Sequence, residues 1–238
     1  MPLINLNPYT ISGPPAITSA MLLHMDGADN STTFTDEKGR TFSVSAGGTV
    51  QIKNAIKKFG TGSAFFNGSG YISTPNNTDI SNLGTTQFSL DFWFYPTQLG
   101  GVQHLISKGL GLQIFTSAGS LVINLSANNS TNYFINAGIM SGLANNTWYH
   151  FVLQKTADGF VVGVNGTGLT GVQEAGKAVG DGGNALVIGG YAAGSGAAIQ
   201  TPFIGYIDEV RLIKGKTGFP TMVTYGNKYT VPSEPYTV

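Results

Sequence analysis

The chain contains no cysteine, which excludes disulfides and thiolate metal sites but leaves the compartment open, because a reducing cytosol and an extracellular particle suit it equally. Charge is also scarce. Only 10% of the 238 residues are Asp, Glu, Lys or Arg, against roughly 25% in an average soluble protein. Twelve basic and twelve acidic residues cancel, so no field gathers DNA, RNA or an anionic membrane, and no nucleic-acid partner is expected. No run of about 18 apolar residues occurs, so membrane insertion is not expected. The opening Met1-Pro2-Leu3-Ile4-Asn5-Leu6-Asn7-Pro8 has neither a basic nor a continuous apolar region; it reads as a protein made in a cytoplasm without a signal peptide.

What is present points to β structure. Hydrophobic residues make up 41% and aromatics 11%, enough for a sizeable core, and 34 glycines accompany abundant Ser, Thr and Asn. That balance suits short strands and tight turns, with one main domain at this length. Strand signals fall at residues 41–45, 49–52, 63–66, 71–73, 88–95, 104–107, 112–116, 121–125, 133–137, 148–155, 159–164, 185–189 and 203–213, after a first strand at Met21-Leu22-Leu23-His24-Met25-Asp26. No window carries a sustained helical period. The expected fold is all-β, an antiparallel two-sheet sandwich over residues 21–213.

Extended arms flank it. Residues 1–20 hold Pro2, Pro8, Pro14 and Pro15 and no charge, and proline lacks the donor that a central strand needs. Leu3, Ile4, Leu6, Pro8, Tyr9 and Ile11 are the candidate assembly contacts of this N-terminal arm, docking on its own body or on a neighbouring subunit. Residues 214–238, with Pro220, Pro232 and Pro235 among Tyr225, Tyr229 and Tyr236, form a C-terminal segment of similar character.

Five phrases in order carry a resemblance: Ser63-Ala64-Phe65-Phe66-Asn67-Gly68-Ser69-Gly70-Tyr71-Ile72, Phe88-Ser89-Leu90-Asp91-Phe92-Trp93-Phe94-Tyr95-Pro96, Asn146-Thr147-Trp148-Tyr149-His150-Phe151-Val152-Leu153, Val161-Val162-Gly163-Val164-Asn165-Gly166 and Gly205-Tyr206-Ile207-Asp208-Glu209-Val210-Arg211-Leu212. Together they resemble the laminin-G-like, concanavalin-A-like jelly-roll family. The opening Met21-Leu22-Leu23-His24-Met25-Asp26-Gly27-Ala28-Asp29, with Thr33-Phe34-Thr35-Asp36, is similar to copies found in bacteriophage virion proteins. Trp93 and Trp148 read as core aromatics between the sheets, or as stacking platforms for a sugar.

Asp208 is the puzzle of the last phrase. Simple alternation puts it on one face with Tyr206, Val210 and Leu212. A buried carboxylate there must be protonated, hydrogen-bonded by backbone N–H groups, or bound to a cation. The resemblance implies a structural calcium ion at Asp208, with backbone carbonyls near His24 and the Asn67-Gly68 turn, and Asp26 as a weaker second ligand; no other cofactor is expected.

Relatives that cleave polysaccharides carry alternating carboxylates on one strand, as acid and base or nucleophile. Here no strand presents two acids on one face; Asp208 and Glu209 are adjacent. No Gly-x-Ser-x-Gly turn accompanies the three histidines. The expectation is therefore a non-enzymatic bacteriophage virion protein, a tail or fibre component or a capsid decoration. It would form a homo-oligomer and join other virion proteins through its N-terminal arm. Its polar, aromatic loops would contact a host-surface glycan through Asn128, Asn129, Asn132, Tyr133 and Tyr191. A stand-alone carbohydrate-binding module is the alternative, and a polysaccharide-cleaving enzyme the less favoured one.

Overall fold

The computed structural model describes residues 19–80, 83–172, 174–180, 182–192 and 200–237. The assembly candidates Leu3, Ile4, Leu6, Pro8, Tyr9 and Ile11 lie outside the described residues. Among those described there is no helix, and sixteen strands, numbered in chain order, form two sheets. Sheet I runs β14 (Thr167–Val172), β13 (Phe160–Val164), β12 (Tyr149–Lys155), β7 (Phe88–Pro96), β16 (Ile204–Lys214), β5 (Ser63–Asn67) and β4 (Val50–Lys53), with β1 (Met21–Leu23) also pairing β16. Sheet II runs β11 (Tyr133–Met140), β10 (Ser120–Ser126), β9 (Leu112–Ser117), β8 (Val102–Lys108), β15 (Leu186–Ile188), β6 (Ile72–Thr74), β3 (Thr41–Val44) and β2 (Phe34–Thr35). Neighbouring strands within each sheet are antiparallel, and the result is a two-sheet sandwich.

Alternation along β7 explains the layering. Its even residues Phe88, Leu90, Phe92 and Phe94 enter the core between the sheets, where Ile114, Ile123 and Leu125 of sheet II also lie. Its odd residues Ser89, Asp91 and Trp93 point the other way, yet they are buried too. Trp93 is therefore not an inter-sheet residue, contrary to its reading as core filler. It lies under the loop after β4, where Phe59 meets it edge-on at 5.8 Å and the Lys58 ammonium sits 3.9 Å from its ring centre.

A strap covers the rest of this outer face. Phe219, Met222 and Tyr229 pack on Val152 and Val161 of β12 and β13. The strap lies so close that a Cβ on Gly163 would come within 2.5 Å of the Met222 sulfur, and one on Gly168 within 2.9 Å of the Thr224 carbonyl. The C-terminal segment thus docks on its own sandwich.

Simple alternation fails on β16. Asp208 pairs with Trp93 but Arg211 with Asp91, so three steps on β16 oppose two on β7. Glu209, at φ 52°, makes this bulge. The bulge sends Val210 and Leu212 into the core and leaves Asp208 and Arg211 on the outer face, correcting the expectation that Asp208 shares a face with Val210 and Leu212. A left-handed glutamate costs about 1–2 kcal/mol. Three hydrogen bonds offset it: the Glu209 N–H donates to Asp208 (2.9 Å), and its carboxylate meets His24 Nδ1 (2.7 Å) and accepts from the Tyr236 N–H (3.1 Å). The Glu209 hydrogen bond also raises the His24 pKa.

Candidate glycan-binding face

The outer face of sheet II carries two transverse rows set by strand register. One is polar: Asn136 on β11 pairs with Asn124 on β10, which pairs with Gln113 on β9, which pairs with Ser107 on β8. The adjacent row is Gly138, Val122, Phe115 and His104 on the same four strands. Core residues Ile114, Ile123 and Leu125 alternate with them and point inward.

Aromatic rings dominate the second row. His104 is stacked between Phe115 (5.0 Å, 30°) and Tyr191 (5.2 Å, 29°), which leaves one face of Phe115 and one of Tyr191 at the ends of the stack. Phe115 and Tyr191 are only partly buried. Beyond Phe115 the row drops to Val122 and to Gly138, above which a Cβ would meet nothing within 4 Å. An open concavity of about 260 Å³ lined by Ser120, Gly138, Met140 and Ser141 ends it.

The polar groups here are not all satisfied from within. Gln113 Oε1 accepts from the Tyr133 hydroxyl (3.0 Å) and from Asn124 Nδ2 (3.3 Å), while Asn124 Oδ1 is buried without a partner among the described residues. His104 Nδ1 lies 2.7 Å from the Thr201 hydroxyl, and its Nε2 likewise has no partner among the described residues. Burial lowers the His104 pKa to about 4, so the ring is neutral at physiological pH. The Tyr191 hydroxyl is shifted upward by burial and by the neighbouring Tyr133. No Asp, Glu, Lys or Arg stands in either row.

The five glycan candidates read from the sequence divide. Tyr133 and Tyr191 border this face. Asn128 and Asn129 instead hold the β10–β11 loop together: Asn128 Oδ1 accepts from the Ser126 and Ser130 hydroxyls, and Asn129 Oδ1 accepts from the Leu110 and Gly111 N–H groups. Asn132 is exposed at the loop's end. Gln113, Asn124, Phe115 and His104 were not singled out, although the alternation of Leu112 to Thr116 puts Gln113 and Phe115 on one face.

Comparison with known proteins agrees with this architecture. The family profile described as the concanavalin A-like lectin/glucanases superfamily matches residues 66–216, more than half of the chain. The chain belongs to this superfamily. No curated protein sequence matches it. Among solved structures, domain 4 of an extracellular arabinanase from Geobacillus stearothermophilus, in complex with arabinotriose, is similar at TM-score 0.59 and 18% identity, covering 89% of this chain and 94% of that domain. The ligand-binding domain of botulinum neurotoxin serotype D, in complex with N-acetylneuraminic acid, is similar at TM-score 0.58 and 13% identity, covering 83% of this chain and 48% of that one. A Trypanosoma rangeli sialidase matches at TM-score 0.53 and 16% identity, over 81% of this chain and 30% of that one. The chain thus spans about half the length of the neurotoxin domain.

In this concanavalin A-like sandwich the residues proposed for calcium have other partners. Asp208 Oδ2 accepts the Lys58 and Phe59 N–H groups (2.8 and 3.2 Å) and Oδ1 accepts that of Glu209. Burial pushes its pKa up to about 8 while the Lys58 and Phe59 donors pull the other way. Asp26 Oδ1 accepts from the Thr61 and Gly62 N–H groups and the Thr61 hydroxyl. Calcium requires converging oxygens, whereas here the two carboxylates are ringed by N–H donors. Among the described residues no group of three or more His, Cys, Asp or Glu side chains converges. The residues around Asp208 therefore do not fit a calcium ion. Exhaustive dialysis against EDTA should leave the melting temperature within about 1 °C; a fall of several degrees, reversed by added calcium, would contradict this.

Proposed function

We propose that the protein is a non-catalytic carbohydrate-binding module whose ligand lies on the outer face of sheet II. The observation that carries this is the stack of Phe115, His104 and Tyr191 beside buried amides, with Asn124 Oδ1 and His104 Nε2 left without partners among the described residues. Sugars combine apolar ring faces with hydroxyls, so they are recognised by aromatic faces flanked by fixed polar groups. The sugar-bound states of the similar arabinanase domain and neurotoxin domain support the reading. A non-catalytic role is supported by the commitment of the acids on sheet I: Asp91 to Arg211 and Asp208 to backbone donors.

The biological setting in this reading is the surface of a bacteriophage virion, as a tail or fibre component or a capsid decoration. The chain would be made in the host cytoplasm, assembled as a homo-oligomer and fixed to other virion proteins through residues 1–20. The similarity of residues 21–36 to phage virion copies of this domain supports it, and mass spectrometry of purified particles tests it.

A glycan array should return neutral saccharides. Phe115→Ala and Tyr191→Ala should each weaken the strongest hit about tenfold, since an aromatic contact is worth about 0.5–1.5 kcal/mol beyond its buried area. Unchanged affinity in both variants with the fold intact would refute this site.

A further inference from the structure

Among the described residues, neither the strap nor the loop after β4 covers a row of rings on the outer face of sheet I. Phe65 on β5 pairs with Tyr206 on β16, and Tyr206 with Tyr95 on β7. Trp148, just before β12, continues the line, its ring centre 5.3 Å from that of Tyr95. All four rings are partly buried, while the alternate residues Phe66, Ile207, Phe94 and Tyr149 belong to the core. The rings do not lie flat. Successive planes are tilted by 37°, 78° and 53°, so the row offers notches between ring edges rather than a level platform. Notches of this kind take proline rings and aliphatic side chains, and Tyr and Trp donors beside them reach the free carbonyls of an extended backbone.

The neighbouring row shows what full coverage looks like: Trp93 and Asp208 lie beneath Lys58 and Phe59, and Asp91 and Arg211 beneath Tyr236. A contiguous apolar patch left at the edge of such coverage marks a contact surface. None of its four residues is charged, and Gln51, paired with Phe65, extends the row with an uncharged amide. The matching occupant is neutral, apolar and extended.

The chain itself carries a segment of that description. Residues 1–18 have no charged side chain, and Pro2, Pro8, Pro14 and Pro15 bar both helix and central strand. In a polyproline II conformation, which repeats every three residues, Leu3, Leu6 and Tyr9 form one ridge and Pro8 and Ile11 another. Direction decides whose row this segment meets. Met21 pairs with Leu212 and Leu23 with Val210, and the Ala20 N–H donates to the Leu212 carbonyl (2.7 Å). Followed upstream from Met21, the chain therefore heads towards the Lys214 end of β16, away from Tyr206. Its own row lies behind it, whereas a segment that rises about 3.1 Å per residue, roughly 55 Å in all, reaches well into a neighbouring molecule.

We infer that the row of Phe65, Tyr206, Tyr95 and Trp148 is the docking site for residues 2–11 of a second copy of this chain, so that copies join by passing their N-terminal arms to one another. Mutual exchange closes a dimer, and head-to-tail passing closes a ring. The inference rests on the reading of residues 1–20 as an assembly arm and is independent of the sugar face on sheet II.

The test uses the full chain. Light scattering during gel filtration should give a mass of at least two chains, and an excess of synthetic peptide of residues 1–18 should bring it down to one while changing the fluorescence of Trp148. Leu6→Asp with Ile11→Asp, which puts two charges into the arm, should likewise leave single chains. Trp148→Ala and Tyr206→Ala should each weaken assembly about tenfold or more, whereas Trp148→Phe, which keeps a ring, should stay within about threefold and guards against a folding defect. A parent protein that is a single chain at high micromolar concentration would overturn the inference. Assembly unchanged by the two arm charges would overturn it together with the assembly role of residues 1–20. Assembly lost with the arm charges but unchanged in both Trp148→Ala and Tyr206→Ala would overturn the docking site alone and leave the arm reading standing.

Discussion

Asp91→Ala should cost about 3–5 kcal/mol of stability, the usual effect of removing one partner from a buried ion pair, and lower the melting temperature by roughly 6–20 °C in a domain of this size. Asp91 is fully buried and accepts from Arg211 Nε at 3.1 Å and from the Tyr236 hydroxyl. The oxygen that accepts from Tyr236, Oδ2, also lies 3.6 Å from His150 Nε2. His150 is in turn within 3.1 Å of the Tyr229 hydroxyl and 3.2 Å of that of Tyr236. Burial lowers the His150 pKa, although Asp91 opposes the shift, so the positive partner of Asp91 is Arg211, whose guanidinium also lies 3.5 Å from the Tyr236 ring centre.

This arrangement makes Asp91 the point where sheet and strap meet, so the loss should have a local signature as well as a global one. Without the carboxylate, Arg211 keeps a buried charge and Tyr236 loses its acceptor. Residues 215–237 should become sensitive to limited proteolysis before the sandwich unfolds. Tyr236→Phe removes only the hydroxyl and should cost less, about 1.5–3 kcal/mol, the range for a hydrogen bond to a charged group. Replacing both charges, Asp91→Leu with Arg211→Met, should recover much of the loss, because a buried pair is often matched by apolar residues of similar size. If Asp91→Ala melts within 2 °C of the parent, the network does not fasten the strap.

Much of the fold was legible because each strand phrase states its own alternation. In β7, Phe88, Leu90, Phe92 and Phe94 announce one buried face, and the observed strand ends one residue beyond the expected one. β14 was missed for a physical reason. Gly168 and Gly171 depress its strand propensity, and Gly168 is small because the strap passes within contact distance above it. A partner more than fifty residues away thus erased the local signal. The bulge at Glu209 was equally hidden: glutamate is a poor marker of positive φ, and only the register against Trp93 and Asp91 reveals the extra residue. That one residue reassigned Asp208, Val210 and Leu212. The candidate site was half legible, since Tyr133 and Tyr191 sit in loops of suggestive composition, whereas the rows of sheet II exist only once distant strands pair.

Lowering the pH should destabilise the protein through His104, and the size of the effect follows from its folded pKa of about 4 against 6.5 for a free imidazole. Above pH 6.5 the ring is neutral in both states and its contribution to stability is complete. As the pH falls from 6.5 towards 4, the unfolded chain takes up a proton that the folded chain refuses, so stability falls. Each pKa unit is worth about 1.4 kcal/mol, giving a loss of about 3 kcal/mol once the pH is below 4. The cause is desolvation: the ring is buried between Phe115 and Tyr191, and its Nε2 finds no partner among the described residues to receive a charge. His104→Phe keeps a ring in the stack and removes the titration. Urea unfolding at pH 7, 5 and 4 should show a shallower pH dependence in that variant by about 3 kcal/mol across the range; parallel curves would place the acid sensitivity elsewhere. Sugar binding at the sheet II face should hold across that window, because His104 of the folded protein stays neutral there, and should weaken only as the pH falls through about 4, where an imidazolium would be driven out of the stack that forms the site.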